Sequence, residues 1–201
     1  VNKVILASGN QGKLNELQQL FAGLNIELVP QPSDSIYHVE ETGTTFVENA
    51  IIKARHVSNV SGLPAIADDS GLMVDALNGE PGVITARYAG QPSSSDKNME
   101  LLMKKLAPFK TLESRSARFV CVLVYIQSAI DPLPVIALGQ WFGAISLEKF
   151  GSEGFGYDPI FWSFEEGKTV AQLPLSSKQI YSHRAKAAHQ LKLQLTDKYN
   201  V

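Results

Sequence analysis

Apolar residues recur along this chain first at strand spacing and then at helix spacing, and that alternation sets the expected architecture. Lys3-Val4-Ile5-Leu6-Ala7 reads as a short buried strand. Leu14, Leu17, Leu20 and Phe21 follow at helical spacing, and Ile26 to Val29 reads as a second strand stopped by Pro30 and Pro32. Thr45 and Glu48 fit a capping box; the apolar stripe Phe46, Ala50, Ala54, Val57 behind them predicts a helix that ends near Ser61-Gly62. Leu63 to Ala67 rises as an apolar run, halts at Asp68-Asp69, turns through Ser70-Gly71, and resumes as Leu72-Met73-Val74. After turn chemistry at Leu77 to Gly82, Met99, Leu102, Met103 and Leu106 predict a helix over 93–106. The chain then becomes strongly β: Arg118 to Ile126 and Val135 to Phe142 read as an antiparallel pair, assigned to a second, smaller lobe. Ala188, Leu191 and Leu195 predict a final helix, with Ser182 as its cap.

Composition narrows the class. A chain of 201 residues has room for one sizeable core with an elaborated second lobe. A formal net charge of −2 lacks the basic excess of a dedicated nucleic-acid binder. The single cysteine, Cys121, excludes an internal disulfide framework, and its apolar neighbours suit a small buried hydrophobe. The longest apolar run, Phe119 to Ile126, is far short of a membrane span. No signal-peptide pattern opens the chain, so a cytoplasmic place is expected.

Polar residues at the element boundaries carry the candidate chemistry. Ser8-Gly9-Asn10-Gln11-Gly12-Lys13 joins the first strand to the first helix, where free backbone N–H groups make an anion seat. Lys13 opens that helix, where the macrodipole does not favour a cation, so either a phosphate meets it or it is simply solvated. Asp68 and Asp69 stand at the end of a buried run, where α/β sheets place ligand chemistry and where a solvated turn would also suit them. Adjacent strand residues face opposite sides, so the pair looks one way only if the chain leaves strand geometry there. Glu40 and Glu41 precede the second helix, and Lys53 lies on or beside its apolar face. Arg87 suits a phosphate or a structural ion pair. In Gly151 to Phe161, glycines bracket Phe155 and Tyr157, which could either stack on a flat heterocycle or fill core. His183 and Arg184 place cations in a helix's first turn, which points to a partner such as a phosphate or a purine edge.

Taken in order, Ser8-Gly9-Asn10 with Lys13, Glu40-Glu41-Thr42-Gly43, Asn49-Ala50 with Lys53-Ala54, Ala67 to Leu72, Ala86-Arg87-Tyr88, Gly154 to Phe161 and Ser182-His183-Arg184 resemble the inosine triphosphate pyrophosphatase family, also called dITP/XTP pyrophosphatases. The likeness covers essentially the whole chain, and Gly154-Phe155-Gly156-Tyr157-Asp158-Pro159-Ile160-Phe161 is its most specific part. Ser8 stands where some members have Thr, and Thr85 where many have Ser, each keeping a hydroxyl. The resemblance implies one domain over 1–201, an elongated mixed α/β fold with a substrate cleft between two lobes, Mg²⁺ dependence and a homodimer. It also implies hydrolysis of ITP, dITP and XTP to the monophosphate and pyrophosphate, which keeps faulty purines from polymerases.

Residue roles transfer by position. Mg²⁺ is usually held by one or two carboxylates plus substrate phosphates, which Glu41 and Asp69 would supply, with Glu40 and Asp68 as nearby alternatives. Asp69 would also act on the attacking water. Ser8, Gly9, Asn10, Gln11, Gly12 and Lys13 would cradle the triphosphate, with Lys53 and Ser70 as further contacts. Phe155 and Tyr157 would stack on the purine beside Gly156 and Asp158, and Lys178, His183 and Arg184 would face its polar edge. A 6-oxo group accepts where adenine's amine donates, so donors there would separate the two. Two rival readings are a pyrophosphatase for other modified nucleotides, including pyrimidines, and a non-catalytic nucleotide sensor.

Overall fold

The computed structural model describes residues 2–199. Its elements are β1 (Asn2–Ala7), α1 (Gln11–Leu20), β2 (Ile26–Pro30), α2 (Phe46–Ser61), β3 (Ala65–Val74), α3 (Ser95–Lys105), β4 (Ser116–Ile126), β5 (Val135–Ile145), β6 (Phe161–Ser163), β7 (Lys168–Thr169), α4 (Leu175–Tyr181) and α5 (His183–Tyr199). The strands form a mixed sheet in the order β2-β1-β3-β4-β5-β6-β7. β1 runs parallel to β2 and to β3, with Val4 opposite Leu28 and Leu6 opposite Ile66. β6 runs antiparallel to β5 and to β7. Helical crossovers between β1, β2 and β3 allow the parallel pairing, which a tight hairpin could not.

The helix ends follow from local chemistry. Thr45 accepts from the Glu48 N–H at the start of α2 while the Glu48 carboxylate reaches back to the Thr45 N–H, a reciprocal cap. Gly62 closes the helix in the left-handed conformation, at φ 69°. Asn10 caps α1 by accepting from the Lys13 N–H, and Ser94 caps α3 by accepting from the Lys97 N–H.

Two expectations change. The Asp-Asp-Ser-Gly stretch is not a turn between two strands, because β3 runs unbroken through it for 10 residues. Asp68 and Asp69 therefore face opposite sides of one strand, each with its own partners. The final helix is preceded by a separate short one, α4, with Ser182 between them.

The chain divides into two units. The first comprises 1–69, 121–139 and 184–201, and its core includes Val4, Leu6, Leu17, Ile66, Leu123, Leu191 and Leu195. Each such buried leucine contributes about 2 kcal/mol relative to exposure. Cys121 lies in this core as a small buried side chain. The second unit comprises 70–120 and 140–183, around Leu72, Leu102, Trp141, Ile160 and Phe161. The β-rich stretch expected in a second lobe is thus shared, since 121–139 packs with the first unit. Among the described residues no helix is long and apolar enough to cross a membrane.

Candidate functional site

In the first unit, β1 ends in Ser8-Gly9-Asn10, which α1 follows directly. The Ser8 hydroxyl accepts from the Asn10 N–H at 3.2 Å, and the Asn10 carboxamide oxygen accepts from the Lys13 N–H at 3.1 Å. These contacts fold the loop so that the start of α1 opens on a hollow of about 280 Å³ lined by Ser8, Gly9, Asn10 and Gln11, with Gln31, Ser33 and His38 across it. Gly12 and Lys13 occupy the first turn of α1. Asn10 therefore shapes the anion seat through its helix-capping side chain.

Lys53 organises a second group. It rises from α2, and its Nζ donates to Asp69 Oδ1 at 2.6 Å and to the Asp68 main-chain carbonyl at 2.9 Å, and pairs with Glu41 Oε1 at 2.9 Å. An ammonium carries three donors, and these three acceptors match them. Burial pushes the Lys53 ammonium down, but Asp69 and then Glu41 outweigh it and hold its pKa above the ordinary value. Burial likewise pushes the Asp69 carboxyl above its ordinary value; Lys53 opposes this, while Glu41 pushes the same way. Asp69 Oδ2 is buried and has no hydrogen-bond partner among the described residues. Such an orphaned oxygen is costly unless a ligand satisfies it.

Asp68 belongs to a different group. Its carboxylate, fully buried, pairs with Lys13 Nζ at 2.5 Å through Oδ1 and with Arg184 Nε at 2.7 Å through Oδ2. Cys121 Sγ lies 3.5 Å from the same Oδ2. Arg184, expected at a purine edge, is only 3% exposed and reaches Glu16 Oε2 at 2.5 Å with its Nη1. Burial would lower its pKa, yet Asp68 above all, with Cys121 and Glu16 after it, raises it, so the guanidinium stays charged. Arg184, in the first turn of α5, thus finds carboxylates as partners.

The four expected acids consequently do not gather as one set of ligands. Among the described residues no three His, Cys, Asp or Glu side chains cluster as a metal site would require. Glu41 and Asp69 meet at Lys53, Asp68 faces Lys13 and Arg184, and Glu40 is exposed on its loop. Glu41 and Asp69 still fit a hard divalent cation that keeps its waters and takes one or two carboxylates, since one Asp69 oxygen has no hydrogen-bond partner among the described residues.

In the second unit, Gly154 and Gly156 hold the aromatic loop at φ 90° and 62°. A Cβ at Gly154 would lie 2.0 Å from Asp158 Oδ2, so only glycine lets that carboxylate approach the loop. Asp158 Oδ2 in turn pairs with Lys178 Nζ at 2.9 Å and accepts from the Phe155 N–H at 3.3 Å. Phe155 is 44% exposed and available to a ligand. Tyr157, expected beside it, is 4% exposed, packs in the core and donates its hydroxyl to the Thr85 carbonyl at 2.9 Å. Successive residues of the loop diverge, so one ring faces out and the next faces in. The His183 ring stacks on Phe119, with centroids 4.9 Å apart. Ser70 is half-buried on β3.

One participant, Glu16, escapes the sequence pattern, and another, Asn49, lies within it but with no task assigned. Glu16 pairs with Arg184, and its only sequence signal was its position three residues after Lys13 on one helix face. Asn49, fully buried, accepts from the Gly43 N–H at 2.8 Å and so fixes the loop that carries Glu41.

Comparison with known proteins adds a second line. The model of the Ham1 family matches residues 4–194. The dITP/XTP pyrophosphatase of Shigella flexneri is 49% identical over 187 residues, covering 93% of this chain and 94% of that one. The dITP/XTP pyrophosphatase of Yersinia pseudotuberculosis is 49% identical over 195 residues, 97% of each chain. Among solved structures, a HAM1 protein from Coxiella burnetii superposes with a TM-score of 0.90 at 44% identity, covering 98% of this chain and all of that one. The Ham1 protein of Staphylococcus aureus gives 0.85 at 39% identity, with the same coverage.

Proposed function

The chain belongs to the Ham1 family, and from that premise we propose that it hydrolyses non-standard purine nucleoside triphosphates (ITP, dITP and XTP) to the monophosphate and pyrophosphate. Such hydrolysis asks a protein mainly for positioning and charge neutralisation. The observation that carries the reading is the Lys53 ammonium drawing Glu41 and Asp69 together while Asp69 Oδ2 has no hydrogen-bond partner among the described residues.

Glu41 and Asp69 are the residues that would hold Mg²⁺, with Lys53 keeping their like charges side by side. A bound Mg²⁺ would neutralise charge on the phosphate oxygens. Asp69, its Oδ1 anchored by Lys53, orients the attacking water and accepts its proton at a carboxylate oxygen. A carboxyl pushed up by burial is a better base than an ordinary one. The Ser8 to Gly12 loop, with Lys13, grips the triphosphate at the start of α1. In the second unit, Phe155 stacks on the purine, and Lys178 and His183 supply donors for a 6-oxo group. Asp158 keeps Lys178 aimed, and Tyr157 braces the loop from the core. The proposal extends to a homodimer that works in the cytoplasm and clears faulty purines from the nucleotide pool.

A panel of nucleoside triphosphates, with pyrophosphate and orthophosphate release both followed and Mg²⁺ present or withheld, tests this. Pyrophosphate from ITP, dITP and XTP, with ATP and the pyrimidine nucleotides largely spared, is the expected result. Release of orthophosphate alone, or equal rates on ATP and ITP, overturns it.

A further inference from the structure

We propose that Asn49 is a positioning residue for Glu41, holding the loop that aims this carboxylate at the expense of the fold's own stability. The inference rests on the metal-holding role given above to Glu41 and names the group that keeps it in place. Asn49 stands on α2, fully buried, and its Oδ1 accepts from the Gly43 N–H at 2.8 Å. That bond fixes which way round the carboxamide lies, because only its oxygen can accept. The other end, Nδ2, is therefore a donor, buried and without a hydrogen-bond partner among the described residues. A half-satisfied buried amide is worse for stability than an apolar side chain of the same shape. Core packing alone would not call for asparagine here.

The loop lies hard against the start of α2. A Cβ at Gly43 would come within 2.6 Å of the Glu48 Cβ and 2.7 Å of Asn49 Oδ1, so only glycine permits this approach. Glu48 takes the next two main-chain donors, the Thr44 and Thr45 N–H groups, at 2.9 Å each. Two consecutive helix residues thus bind three consecutive loop N–H groups. The share of Glu48 is explained by capping, since that side chain is exposed and serves the helix end. The Gly43 N–H lies outside the helix, and no cap requires the Asn49 side chain to reach it. What that bond does fix is Glu41, two residues upstream, whose Oε1 meets Lys53 Nζ at 2.9 Å. Lys53 is four residues beyond Asn49, on the same side of α2. One helix therefore anchors the loop with one residue and receives its carboxylate with another, a turn apart. Hydrogen bonds behind a ligating group commonly set its orientation and the affinity for the metal.

Direct titration with Mn²⁺ tests this without turnover, because Mn²⁺ shares the oxygen ligands of Mg²⁺ and its free form is seen by electron paramagnetic resonance. Mn²⁺ affinity and the urea unfolding midpoint are measured for the nucleotide-free wild type, Asn49→Leu, Gly43→Ala, Glu41→Gln, and Asn49→Leu combined with Glu41→Gln. Leucine repeats the branching of asparagine without its polar atoms. Asn49→Leu and Gly43→Ala are expected to weaken Mn²⁺ about tenfold, the low end of the range for losing a hydrogen bond behind a ligand. Asn49→Leu keeps or raises the urea midpoint, a separation that a merely structural residue would not show. Once Glu41 is Gln, Asn49→Leu costs no further affinity. Unchanged Mn²⁺ affinity in Asn49→Leu, a lowered midpoint, or an equal loss in the Glu41→Gln background overturns the proposal. If Glu41→Gln and the wild type take up Mn²⁺ alike, the metal-holding role of Glu41 fails first, and the proposal with it.

Discussion

Asp69 has one oxygen held and one without a hydrogen-bond partner among the described residues, and the role proposed for it rests on that difference. Replacing it with Asn keeps the shape and one acceptor but removes the charge and the basic site. Asp69→Asn is therefore expected to bind nucleotide with near-normal affinity while kcat falls by roughly a hundredfold or more, as when a single electrostatic group is lost from a transition state. Equilibrium binding of a nucleotide, set beside steady-state turnover, checks both halves. Turnover at the wild-type rate would return Asp69 to a structural role. The sequence showed which polar and aromatic residues crowd the element boundaries, but not the direction of each side chain. Phe155 and Tyr157 look equivalent in a glycine-rich loop, yet the tyrosine is drawn into the core and to the Thr85 carbonyl. Asp68 and Asp69 look like a pair, yet a continuous strand turns them to different cations. Those directions depend on partners distant in the chain, which local pattern does not encode.

At the scale of elements, the glycine loop of the second unit is the most constrained piece. Gly154 combines φ 90° with a side-chain direction already filled by Asp158 and Lys178. Gly154→Ala is expected to cost about 2 kcal/mol from backbone strain alone. It should also displace the Asp158–Lys178 pair and so weaken purine selectivity. Chemical denaturation measures the first effect and the ITP-to-ATP ratio the second; an unaltered ratio would detach this loop from base recognition. Elements with self-contained signals were the ones sequence revealed. The reciprocal cap and terminal glycine mark both ends of α2, and its apolar stripe fills the space between. α4 has no such stripe and none of its residues is buried, so only its tertiary setting defines it. β3 was expected to break because Asp, Asp, Ser and Gly are turn formers, but buried cationic partners for the two carboxylates keep it extended.

Considered as a whole molecule, a chain of net charge −2 must attract a substrate that is itself strongly anionic. Lys13 and Lys53 are both already paired with carboxylates, so a divalent cation would have to supply the surplus positive charge. Chelation with EDTA is accordingly expected to abolish turnover while far-ultraviolet circular dichroism stays unchanged; full activity in chelator would remove Mg²⁺ from the reaction. The ordered motifs made the family legible end to end, because each lies at an element boundary where few residue types serve. The partition into units was not legible, since 121–139 and 184–201 join the first unit only through three-dimensional packing. The closed circuit of Lys13, Asp68, Arg184 and Glu16 has a genetic corollary. A missense codon at Arg184 would disturb the carboxylate that moors a lysine encoded near the opposite end of the message, so a lesion in the last helix presents as a defect in the first.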